Sequence, residues 1–292
     1  MEDSTDGIIS SKNKLDKTKG IENISFKYND IRDFGDNSHK LSMNPQNNWY
    51  HKKNKQLNRA LIFNHAKFTN EKKRNGTDVD CIKLQVTLAN LGFKTKVYHD
   101  KTLDQIQKIS DKWSSFDFSD YDCIVIVILS HGSNGHIYAK DRIYDPKNVF
   151  WDKFSEDRCP SLLGKPKIFF IQACQGILID QGVELCTQVD GVRCTFPIHL
   201  SADFFIAYSS VPGYYSWRNE CKGSWFITEL CSALETYGFE KDINFILTYV
   251  VQRVAIYYES NNMQENLYKN KQTPCITSTL TKLFIFSFEN LS

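Results

Sequence analysis

The sequence predicts an α/β fold in which a mostly parallel, six-stranded central sheet is flanked by helices on both faces. Two observations predict it. Strand-like apolar runs alternate with helical periodicities from residue 60 onward, and two of those runs are apolar throughout rather than alternating. A strand that faces water on one side alternates; a strand covered on both faces does not, and two-sided cover is what crossover helices provide. ALIF, from Ala60, reads as the first strand. The next segment, TDVDCIKLQVTLANLGF, reads as a helix with Val79, Ile82, Val86 and Ala89 on one face. Leu84, Leu88 and Leu91 form a second stripe, so a broadly buried helix is expected. Thr77, with Asp80 three residues on, is the expected cap, and Gly92 stands near the stop.

KTKVYH reads as a second strand, TLDQIQKISDKW as a helix, and CIVIVIL as a third strand. KNVFWDKF reads as helical, KIFFIQA as a fourth strand and DFFIAYS as a fifth. Two amphipathic helices follow, GSWFITELCSALETYG and INFILTYVVQRVAIYYE, and LFIFSF (Leu283 to Phe288) is expected to be the sixth strand. Its two faces are largely apolar, and such an edge aggregates unless covered, so a second copy of the chain is expected there. Between the fourth and fifth strands, Gly176 to Ser201 breaks the rhythm and reads as a long loop, a feature usually tied to function.

Composition narrows the classes. The chain has 292 residues, 41% apolar and 24% charged, with a net charge of +2, which predicts neither a nucleic-acid nor a membrane partner. The longest apolar run, Cys123 to Leu129, is far too short to cross a bilayer. MEDSTDGIIS lacks the basic start and apolar stretch of a secretory signal, and the nine cysteines follow no regular spacing. Reduced thiols and a cytoplasmic location are expected. There is no CxxC pair, and the lone five-residue spacing of His131 and His136 is too weak for a metal site; no cofactor is expected. Residues 1–56 are rich in Asn, Asp, Lys and Ser and read as a flexible arm; its basic cluster HKKNK reads as a solvated strip.

In an open parallel sheet, ligands bind at the carboxyl ends of the strands. Cys174 lies at that end of KIFFIQA, and His131 at that end of CIVIVILS. Two separate stretches therefore bring a thiol and an imidazole to one rim, as a cysteine nucleophile requires. Generic features alone fit equally well with a buried cysteine and a surface histidine. Gly132 follows the histidine, and its N–H, with that of Cys174, could hold a developing oxyanion. No Asp or Asn stands out to orient His131.

QACQG, Gln172 to Gly176, matches the caspase signature around the nucleophile, with the histidine 43 positions upstream. RNGTDVD, SHG, ADFFIAYS, PGYYSWRN and GSWF also resemble caspase stretches, in caspase order, over about Ala60 to Glu289. The resemblance implies a caspase-like fold and a cysteine endopeptidase that cleaves after aspartate, is made as a zymogen and executes apoptosis. It implies that Arg74, Arg218 and Gln172 line the pocket for the substrate aspartate, where a planar, permanently charged guanidinium suits a carboxylate. By the same resemblance, Ser216 and Arg218 pair with the substrate backbone, Trp217 and Trp225 wall the second and fourth pockets, and Asn219 holds an acidic group at the fourth.

The chain departs from the pattern at Asn261 and Met263, where some executioner caspases carry two phenylalanines, and at Glu220, a negative charge near the fourth pocket. The arm is too short for a death-fold recruitment domain, so the chain resembles an executioner, and the QACQG form is also seen in insect executioners. Processing is expected after Asp190 in TQVDG, with Asp180 in LIDQG as runner-up and Asp6 in STDG as the best site in the arm, ahead of Asp30, Asp33 and Asp36. This divides the chain into the arm (1–56), a large catalytic subunit (57–190) and a small subunit (191–292, with 191–201 a linker remnant). Expected partners are protein substrates, an upstream initiator caspase, inhibitor-of-apoptosis proteins and a second copy, giving two large and two small subunits. The competing readings are a catalytically silent relative and a related fold cutting after basic residues. The first would have lost Cys174, His131 or a pocket arginine; the second would carry acids in place of Arg74 and Arg218.

Overall fold

In chain order the first half of the protein forms β1 (Asn58–Asn64), α1 (Thr77–Asn90), β2 (Phe93–His99), α2 (Leu103–Ser114), β3 (Ile124–Leu129), β4 (Gly132–Ser133), β5 (His136–Tyr138) and β6 (Ile143–Tyr144). The second half forms β7 (Lys167–Gln172), β8 (Phe204–Tyr208), β9 (Arg218–Asn219), β10 (Gly223–Ser224), α3 (Trp225–Tyr237), α4 (Ile243–Tyr257) and β11 (Cys275–Ser278). These come from a computed structural model, which describes residues 48–50, 57–133, 135–176, 178, 180, 202–220, 222–260 and 269–286. Asp6, Asp190, Asn261, Met263 and nearly all of the loop from 177 to 201 lie outside the described residues.

Six strands form the central sheet in the order β11-β8-β7-β3-β1-β2. All pairs are parallel except β11 with β8. Strand alternation sends side chains to two separate cores. Ala60, Ile62, Val125, Val127, Ile168 and Phe170 meet α1, α3 and α4 on one face. Leu61, Phe63, Ile126, Ile128, Phe169 and Ile171 meet α2 and the turns around Phe150 and Phe154 on the other. This two-sided cover explains why β3 and β7 are buried along their whole length. Each fully buried Ile or Phe contributes about 1.5–3 kcal/mol.

Three local expectations are corrected. Thr77 is the first residue of α1, not its cap. Gly76, at φ 81°, precedes the helix, and the Thr77 hydroxyl instead donates to Asn64 Oδ1 at 2.7 Å and accepts from Arg74 Nη1 at 2.7 Å. A Cβ at Gly76 would lie 2.8 Å from the Glu220 carbonyl, so the turn requires glycine twice over. Only one stripe of α1 is buried. Leu84 and Leu88 are fully covered, whereas Ile82 is 62% and Val86 53% exposed, because α3 packs on a single side. KNVFWDKF forms a single wide turn, Lys147–Trp151, rather than a full helix.

The sixth strand is β11, not LFIFSF. Residues 283–286 bury Phe284 and Phe286 in the core beside α3 and α4, while Leu283 makes only a bridge to Trp49. The Phe284 carbonyl accepts from Ile243 N–H at 2.9 Å, and Phe286 N–H reaches Gly238 at 3.0 Å. Loop and helix-end backbone thus replaces the ladder, and the edge of the sheet passes to β11. Tyr50 next to this segment hydrogen-bonds Asp203. No described helix is long and apolar enough to cross a membrane.

Two predictions follow from packing and burial. Leu84→Ala should lower unfolding free energy by about 2–5 kcal/mol, whereas Ile82→Ala should change it by no more than about 0.5 kcal/mol, as read by denaturant titration. His65, fully buried just past β1, has its pKa pulled from 6.5 down to about 4, chiefly by burial. The unfolded chain therefore takes this proton first as pH falls. Stability is full above about pH 6.5 and declines toward pH 4, by on the order of 3 kcal/mol from this residue. His65→Gln should flatten that part of the stability profile measured by urea midpoints.

Candidate active site

Leu129 and Gln172 face each other as register partners at the carboxyl ends of β3 and β7. His131 and Cys174 each stand two residues further on, so adjacent parallel strands deliver them at the same height. Ser130 N–H bonds the Gln172 carbonyl at 3.1 Å, which carries the pairing one step past the strands. Gly132 then passes so close that an added Cβ would overlap the Cys174 carbonyl and sit 3.0 Å from the Ala173 methyl. Only glycine permits this approach. Cys174 is held from beneath: Ser209 Oγ accepts from Ala173 N–H at 3.3 Å and donates to its carbonyl at 3.1 Å. Gln175 N–H bonds the Tyr214 carbonyl at 3.1 Å, and Gly176 lies against Gly213.

His131 Nε2 is 2.8 Å from the carbonyl oxygen of Lys72. A carbonyl only accepts, so Nε2 carries the proton and Nδ1 of the neutral ring is the acceptor. The orienting group that the sequence did not reveal is therefore a backbone carbonyl, which leaves no trace in residue type. The imidazole also rests on Phe68, centroids 4.7 Å apart, with the Tyr138 ring edge-on at 6.3 Å. Burial pulls the His131 pKa down, aided by Arg74 and Arg218 and opposed by the Lys72 carbonyl. Burial pushes the Cys174 thiol up, while the two arginines pull it back. The resting pair at neutral pH is thus thiol and neutral imidazole. The thiol donates to the Ser216 carbonyl across 3.8 Å.

Beside the thiol, Arg74 is 1% exposed, and its Nη1 donates to the His65 carbonyl at 3.2 Å and to Thr77. Its Nε is buried with no acceptor among the described residues, and Gln172 Oε1 is buried with no donor among them. Gln172 Nε2 donates to Ser216 Oγ at 2.5 Å. Arg218, on β9, donates from Nε to the Asn75 carbonyl at 2.7 Å. Burial pushes both arginines' pKa values down, and the charge of Arg218 adds to the effect on Arg74, though a guanidinium keeps its proton in proteins. Among the described residues neither arginine forms an ion pair. The nearby counter-charge is Asp80, which acts on both arginines and accepts from Ser224 N–H at 2.7 Å and from its hydroxyl at 2.5 Å. Sequence periodicity placed Asp80 only as a helix-start residue. Its coupling to Ser224 spans 144 positions and is visible only in three dimensions.

The next surface is aromatic. Trp217 stacks on Trp225 at 5.9 Å, and Trp225 meets Tyr258 at 5.3 Å, so the two expected walls form one surface extended by a residue the sequence did not single out. Trp217 N–H donates to buried Gln272 Oε1 at 2.6 Å, and Gln272 Nε2 donates to the Ser209 carbonyl at 2.6 Å. This side chain links the aromatic wall to the strand end beneath Cys174. Asn219 Oδ1 caps the turn to β10 by accepting from Lys222 N–H at 2.9 Å, and Glu220 accepts from Asn75 at 3.2 Å. The described residues contain no group of three His, Cys, Asp or Glu suited to a metal ion. A half-buried thiol, an oriented imidazole and two guanidiniums that form no ion pair among the described residues together suit acyl transfer at a carbonyl next to a carboxylate.

Comparison with known proteins agrees with this chemistry. Residues 57–285 match the caspase domain family. The chain is 45% identical to Caspase-1 of Spodoptera frugiperda over 245 residues, covering 82% of this chain and 81% of that protein. It is 45% identical to Caspase drICE of Drosophila melanogaster over 250 residues (83% and 74%) and 42% identical to Caspase-3 of Felis catus over 231 (78% and 83%). The crystal structure of Caspase-1 from Spodoptera frugiperda superposes with a TM-score of 0.76 at 43% identity, covering 84% of this chain and 95% of that one. The chain therefore belongs to the caspase family: it is an effector-type, aspartate-specific cysteine endopeptidase of apoptosis with insect-like relatives.

Proposed function

We propose that Cys174 is the nucleophile of this endopeptidase and His131 its acid–base partner. The observation that carries this is the register of Leu129 with Gln172, which brings the two to one height on neighbouring strands. As Sγ attacks the scissile carbonyl, its proton passes to His131, oriented by the Lys72 carbonyl. The carbonyl π pair moves onto oxygen, held by the N–H groups of Gly132 and Cys174. Collapse expels the amine, which takes the proton from His131, and leaves a thioester. Water, deprotonated by His131, then releases the acid and restores the thiol.

Arg74, Arg218 and Gln172 bind the aspartate before the scissile bond. A carboxylate there answers the buried Arg74 Nε and neutralises two adjacent cations, which a basic or apolar side chain cannot do. Ser216 and Arg218 pair with the substrate backbone, Trp217 and Trp225 take the second and fourth side chains, and Asn219 engages an acid at the fourth position, weakened by Glu220. Gln172, already bonded to Ser216, ties the aspartate pocket to that backbone strand.

The zymogen is cut after Asp190, separating a large subunit (57–190) from a small one (191–292) after removal of the arm. Asp180 ranks second because its carbonyl is engaged by Lys271 N–H at 2.7 Å, which restrains the bond that would be cut. An upstream initiator caspase makes the first cut in the cytoplasm, inhibitor-of-apoptosis proteins restrain the product, and two copies pair through the β11 edge.

Cys174→Ala should abolish hydrolysis of an aspartyl peptide reporter. Arg218→Ala should lower kcat/KM for it by a factor matching about 2–5 kcal/mol. Residual turnover in Cys174→Ala, or wild-type rates in Arg218→Ala, would contradict the assignment. Wild-type protein should mature into subunits whose smaller member begins at Gly191 by N-terminal sequencing, while Cys174→Ala should remain one chain until active caspase is added. Full activity with the 190–191 bond intact would refute the processing site.

A further inference from the structure

At the opposite end of the sheet from the catalytic rim lies a hollow of about 350 Å3 lined by Arg59, Lys94, Lys96, Lys112, Trp113 and Phe116. Arg59 and Lys94 are the second residues of β1 and β2 and are direct register partners, so two cations stand side by side on the face that α2 covers. Like charges in that relation are destabilising. Lys96 follows on the same face of β2, and Lys112 comes from the last turn of α2. No carboxylate lines the hollow, and among the described residues none of the four cations forms an ion pair. Arg59 uses Nη2 on the Tyr121 hydroxyl at 2.9 Å, while its buried Nε has no acceptor.

Lysines commonly guard an exposed sheet edge, and β2 is an edge strand. That accounts for Lys94 and Lys96. It does not account for half-buried Arg59 on an inner strand, for Lys112 on a helix, or for the concave shape. The end of the α2 dipole favours cations but acts weakly over one turn. The floor is apolar: Trp113 is nearly covered and turns its N–H to Tyr98 at 2.8 Å, while the Phe116 ring is partly open.

We propose that this hollow is a binding site for a free nucleoside triphosphate, with the phosphates among the four cations and the base against Phe116. Multiple negative charge matches four cations that have no carboxylate partner among the described residues, a planar ring matches the apolar floor, and the volume suits a small ligand rather than a chain. The site is separate from peptide hydrolysis and stands whether or not the catalytic assignments do.

Titration calorimetry on the full chain would use ATP, tripolyphosphate, adenosine and hexaglutamate as probes. ATP should bind most tightly, tripolyphosphate more weakly and adenosine not at all. The doubly substituted protein Lys96→Glu, Lys112→Glu should bind ATP at least about tenfold more weakly. Both positions are exposed and remote from Cys174, so hydrolysis of a short aspartyl reporter should stay at the wild-type rate, which also reports that the variant is folded. Phe116→Ala should erase the preference for ATP over tripolyphosphate. Absence of saturable ATP binding, unchanged affinity in the double variant, or competitive inhibition of the reporter by ATP would each overturn the site. So would tripolyphosphate binding as tightly as ATP, and hexaglutamate binding as tightly with the same lysine dependence would assign the hollow to acidic peptides instead.

Discussion

The parallel, in-register pairing of β3 with β7 is the constraint on which the rim that carries His131 and Cys174 depends. Parallel strands end at the same edge of the sheet, so whatever follows them emerges together. Leu129 opposite Gln172 fixes the height of His131 and Cys174, and a slip of one residue would turn one of them to the other face of the sheet. That register is in turn secured by burial. Every residue from Ile124 to Leu129 and from Lys167 to Gln172 is buried, and the apolar ones alternate between the two cores, so a one-residue slip would exchange the faces they present.

Above this frame the site concentrates unlike demands in a small desolvated volume. Two arginines, one of them fully buried, lie close enough to act on the Cys174 thiol and on His131, and Arg218 acts on Arg74 as well. Buried cations are costly unless answered, and the protein answers them with Asp80 and with backbone carbonyls of His65 and Asn75. Asp80 is itself fixed by Ser224, at the start of α3, so the charge balance of the pocket is built jointly by the N-terminal and C-terminal parts of the chain. A cut between β7 and β8 would leave these hydrogen bonds as noncovalent links between the pieces, with the continuous β7–β8 ladder beside them.

Much of this was legible in the residues. The apolar runs of β3 and β7 announced strands covered on both faces, and QACQG, SHG and RNGTDVD pointed to the family before any geometry was known. The less legible features share a physical reason. The Lys72 carbonyl is backbone, which every residue possesses. Asp80, Gln272 and Tyr258 act through partners distant in sequence, and the amphipathic pattern of α1 offered two apolar stripes where only one neighbour was available to cover them. LFIFSF has the composition of a strand but buries its phenylalanines beside helices, because apolar content measures burial and not the partner that supplies it.

The sequence by itself determined the alternation of strands and helices and, through its resemblance to caspase stretches, pointed to Cys174 and His131 as a thiol and imidazole pair and to Arg74 and Arg218 as guanidinium groups suited to a carboxylate. The first follows from side-chain periodicity and the second from short motifs, and both are local properties. Only the tertiary structure decided which face of α1 is buried, which strand closes the sheet at β11, what orients His131, and how Asp80 balances Arg74 and Arg218. It alone gathered Arg59, Lys94, Lys96 and Lys112 around one hollow in a chain whose net charge is only +2. Each of these depends on distances between residues far apart in the chain, and such distances are set by packing rather than by neighbours in sequence.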